Sequence, residues 1–204
     1  MRPPVTVIVM AKAPVAGFAK TRLIPALGAA GAAALAERLL QHSVAQALAA
    51  ALGPVELCCA PDHHHPAFAS LGLLPGLVLS DQGDGDLGAR MARAFERRLV
   101  GGDSALMIGT DAPALDAAVL QRAAEALSHT DAVFVPALDG GYALIGLRRA
   151  APVLLSAMPW STPAVMARTR ERLAAAGLRH TELEPLADID EPADLVHLPE
   201  GFLP

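Results

Sequence analysis

The sequence predicts an α/β domain built on a mostly parallel central sheet flanked by helices, and three observations carry that prediction. Short β-rich runs alternate with Ala- and Leu-rich stretches of helical length along the chain. Four of the runs are nearly continuous Val, Ile, Leu and Met, the pattern of strands buried on both faces of a parallel sheet with helices as crossovers. The polar, glycine-bearing motifs follow directly after the runs, and in open sheets ligands bind beyond the carboxyl ends of the strands.

The elements follow in order. Val5–Met10, directly after Met1-Arg-Pro-Pro, reads as the first strand; this run is too short and too lightly flanked for a secretory signal. A helical stretch over 28–52 leads to the strand Val55–Ala60, which holds both cysteines, Cys58 and Cys59. Adjacent residues of a strand point to opposite faces, so these two form no ordinary disulfide with each other and read as buried apolar-like side chains. Leu77–Leu79, a helix over 87–100, and Ala105–Ile108 come next. Asp116 caps a helix over 116–127, followed by strands Ala132–Val135 and Ala143–Leu147. Helices are expected over 150–157 and 163–176, the second with Thr162 as N-cap and Pro163 in the first turn. No repeat or linker interrupts residues 1–204, which read as one domain.

Composition narrows the function. With 53% hydrophobic and 18% charged residues, 204 residues suffice for one buried core. No uninterrupted apolar run approaches the roughly 20 residues that span a bilayer, so no membrane partner and a cytoplasmic location are expected. A net charge of −5 argues against a duplex nucleic-acid binder, which needs a basic face. Small anionic ligands require only a local cationic cluster.

Such a cluster exists. The chain has only two lysines, both in Lys12-Ala-Pro-Val-Ala-Gly17-Phe-Ala-Lys20-Thr-Arg22, while fourteen arginines supply the other basic charge. Two compact ammonium groups, a guanidinium and a Gly in one loop have the makeup of a phosphate clamp, although a solvated charged loop has the same composition. The loop matches neither the P-loop nor the dinucleotide-binding pattern.

The acids form a second set. Gly109-Thr-Asp111-Ala-Pro113 puts a carboxylate just past a strand, where it can ligate Mg²⁺ or cap the following turn. Asp188-Ile-Asp190-Glu-Pro192 gives two carboxylates that share one side of an extended segment, or a helix start with Asp190 as cap. Asp139-Gly140-Gly141-Tyr142 and Trp160-Ser161-Thr162 hold the only Tyr and the only Trp, aromatics with a polar handle that suit a ligand contact or ordinary packing. After the third strand, Gln82 and Gly83 are expected at the ligand, with Asp86 as N-cap. The stretch lacks the terminal Glu of a calcium loop. His63-His64-His65 reads as a surface loop, since consecutive side chains rarely converge on one ion. No Ser sits in a nucleophile elbow and neither Cys has a base beside it.

Together, Lys12-x-Pro14-x-x-Gly17-x-x-Lys20-Thr21-Arg22-Leu23, Gly109-x-Asp111-x-Pro113, Asp139-Gly-Gly-Tyr-x-Leu-Ile-Gly146, Trp160-Ser-Thr162 and Asp188-Ile-Asp190-x-Pro192-x-Asp194-Leu195 resemble a bacterial family of small transferases. That family has the GT-A, nucleotide-diphospho-sugar transferase fold and is commonly labelled glycosyltransferase. The chain also looks like a more distant relative of phospholactate guanylyltransferases and molybdenum-cofactor nucleotidyltransferases. The resemblance implies Mg²⁺ or Mn²⁺ on Asp111 and on Asp188 or Asp190. It implies phosphates gripped by Lys12, Gly17, Lys20 and Arg22, and a nucleotide and a small-molecule acceptor as partners. Gly109 stands where a sugar-donor enzyme has the first Asp of Asp-x-Asp, which leans the expectation to nucleotidylyl transfer from an NTP to a phosphorylated acceptor. The alternatives are glycosyl transfer with Asp139 as base, and a nucleotide-binding module without turnover.

Overall fold

The computed structural model describes residues 4–203; Met1–Pro3 and Pro204 lie outside the described residues. The strands are β1 (Val5–Lys12), β2 (Val55–Ala60), β3 (Leu77–Asp81), β4 (Ser104–Ile108), β5 (Ala132–Pro136), β6 (Tyr142–Leu147) and β7 (His180–Glu182). They form one sheet in the order β3-β2-β1-β4-β6-β5-β7. Only β6 runs antiparallel, slotted between β4 and β5.

The apolar runs alternate between two cores. Val7, Val9, Leu57, Cys59, Leu106 and Val133 face one side, against Leu40 and Val44 of α1 (Ile24–Ala49) and Leu120 and Ala123 of α3 (Ala117–Leu127). Ile8, Cys58, Met107, Phe134 and Ile145 face the other, against Met91 and Phe95 of α2 (Leu87–Arg98) and Met166 and Leu173 of α4 (Val165–Ala175). Each fully buried side chain of this size contributes about 2 kcal/mol, so both faces must be covered. Cys58 and Cys59 lie on opposite faces, as the strand period requires. Gly146 in β6 is a packing position: a Cβ there would meet Leu106 and Val133 side chains at 2.5 Å.

Parallel register aligns the strand ends. Val9 is opposite both Leu57 and Ile108, and Lys12 is opposite Ala60, so the loops after β1, β2 and β4 leave from one edge. Asp116 and Asp86 cap α3 and α2, accepting from Val119 N and Ala89 N at 2.8 Å.

Five local expectations are corrected. Residues 150–157 form no α-helix but a single 3-10 turn, Pro152–Leu154, because Ala151 before the proline is held out of the helical region at φ −134° and ψ 68°. Thr162 does not cap α4: its hydroxyl donates to Pro159 O at 2.7 Å, and the helix starts at Val165 after Ala164. Residues 188–190 are not a strand, and the turn that follows is capped by Glu191 with Asp194 in a capping box, not by Asp190. α1 starts at Ile24, four residues early, with a kink at Gly28. The short polar edge strand β7 carried no readable alternation. By length and composition the helical segment Thr21–Ala49 could cross a membrane; in this fold Leu35, Leu39, Leu40 and Val44 on it are core residues.

Candidate functional site

The basic loop leaves β1 at Lys12, which is exposed and has no ionic partner among the described residues. Gly17 turns the loop at φ +83°, and Lys20 follows in the left-handed region at φ 48°, ψ 46°. From there the Lys20 ammonium reaches Asp111 Oδ1 at 2.5 Å and also donates to Ile189 O. Arg22, in the next turn, donates to Asp190 Oδ2 at 2.6 Å and lies 3.7 Å from Glu191 Oε1. Two of the three expected phosphate-binding cations are therefore paired with acids expected to bind metal, a correction to the picture of a free clamp.

The acids converge from three loops. Asp111 leaves β4 beside the C-terminal segment, whose Ile189 N donates to Asp111 O at 2.8 Å. Asp139 turns the β5–β6 connection by accepting from Gly141 N at 2.7 Å. Asp194 accepts from the backbone of Asp190 and Glu191 at 3.0 and 2.7 Å. At Asp139 and Asp194 lies a cavity of about 290 Å³, lined by Asp139, Asp188, Asp190, Glu191 and Asp194 against one guanidinium, Arg22, with Leu138, Ala187 and His197 completing the wall. Burial raises the Asp188 carboxyl above the usual carboxylate range, and the charges of Asp139, Asp194 and Asp111 raise it further. Five carboxylates around one guanidinium repel a bare phosphate and attract a cation.

Gln82, expected at the ligand, acts as a brace in this structure. It is buried, and its amide donates to Ala11 O and Cys58 O at 2.9 and 3.0 Å, tying β1 to β2. Arg93 of α2 supports the same loop, donating to Gln82 O and to Asp84 O at 3.0 Å and filling the space beside Gly83.

The aromatic motifs close together. Tyr142 packs edge-on against Phe134 and Trp160, at ring separations of 5.5 and 6.3 Å. The Tyr142 hydroxyl and Trp160 Nε1 are buried without hydrogen-bond partners among the described residues. Burial pushes the Tyr142 hydroxyl well above its ordinary pKa, so it stays protonated. The loop with Ser161 and Thr162 is joined to the Asp139 turn where Gly140 meets Pro163 and Gly140 O accepts from Met166 N at 2.8 Å.

The fold thus brings together Lys20, Arg22, Asp111, Asp139, Asp188 and Asp190, and attaches the Tyr142–Trp160 pair through Gly140. Lys12, Gly17, Gln82 and Gly83 do not line the acidic cavity, and the Lys20–Asp111 pair lies outside its wall, linked to it by the bonds of both residues to Ile189 and by the charge of Asp111 on Asp188. Sequence reasoning gave no role to Glu191, Asp194 and His197; the capping-box spacing of Glu191 and Asp194 was the available signal. His63 is anchored at the end of β3, its Nδ1 2.7 Å from Asp81 Oδ1, and His65 turns to its own local bond with Ala67 N, so the three rings do not gather on one ion. Burial raises both thiols, Cys59 up to about 12, which leaves them poor nucleophiles. Among the described residues no three His, Cys, Asp or Glu side chains form a ready-made metal cage. The oxygen-rich donors instead suit a hard ion that shares one or two carboxylates with substrate phosphates.

Residues 43–162 match the family described as an uncharacterized protein conserved in bacteria, DUF2064. No curated protein matches the chain. Among solved structures, a Desulfovibrio desulfuricans G20 protein provisionally assigned as a nucleotide-diphospho-sugar transferase is 30% identical, with 95% of this chain and 85% of that one covered at a TM-score of 0.86. A nucleotidyl transferase from a Methanothermobacter species shares 19% identity over 98% of each chain at 0.63. Rv0371c of Mycobacterium tuberculosis H37Rv, in complex with manganese, shares 18% identity over 100% of this chain and 99% of its own at 0.57. The last two likenesses show the fold alone, and it is the nucleotide-diphospho-sugar transferase fold that the motifs implied.

Proposed function

We propose a metal-dependent nucleotide transferase activity for this chain, which belongs to the bacterial DUF2064 family. The observation that carries the reading is the acidic cavity beyond the carboxyl ends of the strands, where Asp188 sits among like charges with no cationic partner of its own among the described residues. That is an unmet demand for a cation. Asp111 and Asp188 would hold Mg²⁺ or Mn²⁺; Asp190 is the weaker candidate because Arg22 already engages it at 2.6 Å. A divalent ion bound there would polarise the transferred phosphoryl group.

The preferred reaction is nucleotidylyl transfer from an NTP. A phosphate oxygen of the acceptor attacks the α-phosphorus in line, the bond to the bridging oxygen breaks, and pyrophosphate leaves. Arg22 in the cavity wall, with Lys12 of the same basic loop, would neutralise the leaving charge. A phosphate acceptor is already ionised and needs no general base. Glycosyl transfer from a nucleotide-sugar is the second reading, favoured by the provisional assignment of the 30% identical relative. In that case Asp139 would take the proton of an acceptor hydroxyl.

The test is a thermal-shift and product screen with Mg²⁺ or Mn²⁺ against the four NTPs and UDP-, GDP- and dTDP-sugars, with Asp111→Asn alongside. A ligand at a hundredfold its Kd stabilises by about 2.7 kcal/mol. A metal-dependent preference for one NTP, lost in Asp111→Asn, supports nucleotidylyl transfer. Preference for a nucleotide-sugar moves the reaction to glycosyl transfer, and no metal-dependent response to either class refutes the transferase reading.

A further inference from the structure

Lys20 is a buried cation paired with an acid of the candidate site. Its side chain is only 7% exposed, whereas the Asp111 carboxylate it meets is 53% exposed. The ammonium lies between one carboxylate oxygen, Asp111 Oδ1 at 2.5 Å, and one main-chain carbonyl oxygen, Ile189 O. Two hard oxygens from separate loops are also the donors a divalent ion prefers. The backbone pointing Lys20 there is in the left-handed region, which disfavours a residue with a Cβ. The loop is closed behind it by Phe18 N and Ala19 N on Val15 O, and ahead by Leu23 N on Lys20 O at 2.8 Å. Arg22 with Asp190 is a different kind of pair, solvent-exposed at 61% and 41% and therefore of little net strength.

We infer that Lys20 is a built-in counterion that occupies the cation position on Asp111 and yields it to the divalent ion, which frees the ammonium for the phosphates of the incoming nucleotide. The inference rests on the metal-dependent reading above. In the resting protein Lys20 relieves the repulsion among the acids. Once a metal neutralises Asp111, a neighbouring ammonium is repelled by it and attracted by a triphosphate. Metal and nucleotide then favour each other's binding, because each completes the exchange the other begins. A permanent tether between the basic loop and the C-terminal segment would use the same two contacts but would not open.

The composition of the chain makes the exchange directly readable. It has two lysines, and Lys12 is exposed, so Lys12 serves as the internal standard for Lys20. The experiment is amine acylation of the whole wild-type protein, read peptide by peptide by mass spectrometry, with manganese occupancy followed by its EPR signal. Without ligand, Lys20 is expected to label several-fold more slowly than Lys12, because its ammonium is buried and ion-paired whereas Lys12 is exposed. Saturating Mn²⁺ is expected to raise the Lys20 rate at least several-fold relative to Lys12, and Mn²⁺ with an NTP to lower it again. Lys20→Met, which removes the competing cation, is expected to bind Mn²⁺ about tenfold more tightly in the absence of nucleotide.

Equal labelling of the two lysines without ligand overturns the counterion, as does a Lys20 rate unmoved by bound manganese or a Lys20→Met variant that binds manganese no better. Those outcomes leave the transferase reading standing. Failure of manganese to bind with or without any NTP removes both.

Discussion

Gly140 and Gly17 have nearly the same positive φ, +92° and +83°, but different surroundings, so alanine at each separates backbone strain from steric conflict. Holding an L-residue in the left-handed region costs about 1–2 kcal/mol. At Gly17 a Cβ meets nothing within 4 Å, so Gly17→Ala is expected to lose only that amount. At Gly140 a Cβ would lie 2.3 Å from Pro163 O and 2.7 Å from Pro163 Cα. These are backbone atoms and cannot rotate away. Overpacking adds about 1–3 kcal/mol, and losing the Met166 N to Gly140 O bond adds about 1 kcal/mol. Gly140→Ala is therefore expected to lose about 3–6 kcal/mol. With a urea slope of about 2 kcal/mol per molar, the two variants should differ in midpoint by about 1 M or more. Equal midpoints within about 0.3 M would refute the claim that the Asp139 turn is wedged against the Trp160 loop.

Two further outcomes follow from buried polar groups. Glu56 is fully buried between Arg97 and Arg98; burial pushes its carboxyl up, but hydrogen bonds from Ser80, Arg97 and Arg98 outweigh this and hold it below 4.5. Glu56→Gln should cost about 3 kcal/mol at pH 7, the low end for a broken buried pair because both arginines can rehydrate. A lowered folded-state pKa gives stability that is present above the unfolded pKa and lost as pH falls through the folded value. The gap between wild type and Glu56→Gln should therefore shrink in urea melts below about pH 4.5, and a gap independent of pH would show that the charge is not what stabilises. Tyr142→Phe removes a hydroxyl without a partner, so the melting temperature should hold or rise, with a gain of up to about 1 kcal/mol; a loss of that size would mean the hydroxyl is satisfied in solution.

The fold was legible where the signal is local and periodic. The runs in β1, β2, β4, β5 and β6 bury on both sides, and their apolar continuity says so directly. The aspartate caps of α2 and α3 were readable because a cap is a short-range bond, two or three residues from its partner. The errors arise where a distant contact decides. β7 exists because Val133 and Phe134 of β5 offer it an open edge, not because His180–Glu182 favours a strand. Thr162 has the composition of a cap and spends its hydroxyl on Pro159 O.

The candidate site divides along the same line. Which groups are present was readable, because a parallel sheet delivers the loop after each strand to one edge. Which cation neutralises which acid was not, because Lys20 meets Ile189 across 169 residues and Arg22 meets Asp190 across 168. The consequence reaches the chemistry. Counting three cations in the basic loop favours a triphosphate over a nucleotide-sugar, since the longer chain carries more charge. Yet of these three only Lys12 stands without an acidic partner among the described residues, so the count applies to the resting protein only if Lys20 is released from Asp111. An exchange that frees Lys20 restores the charge a triphosphate needs, whereas a permanent pair leaves an inventory better matched to a diphosphate. The behaviour of one buried ammonium therefore separates the two transfer reactions more sharply than the composition of the loop that carries it.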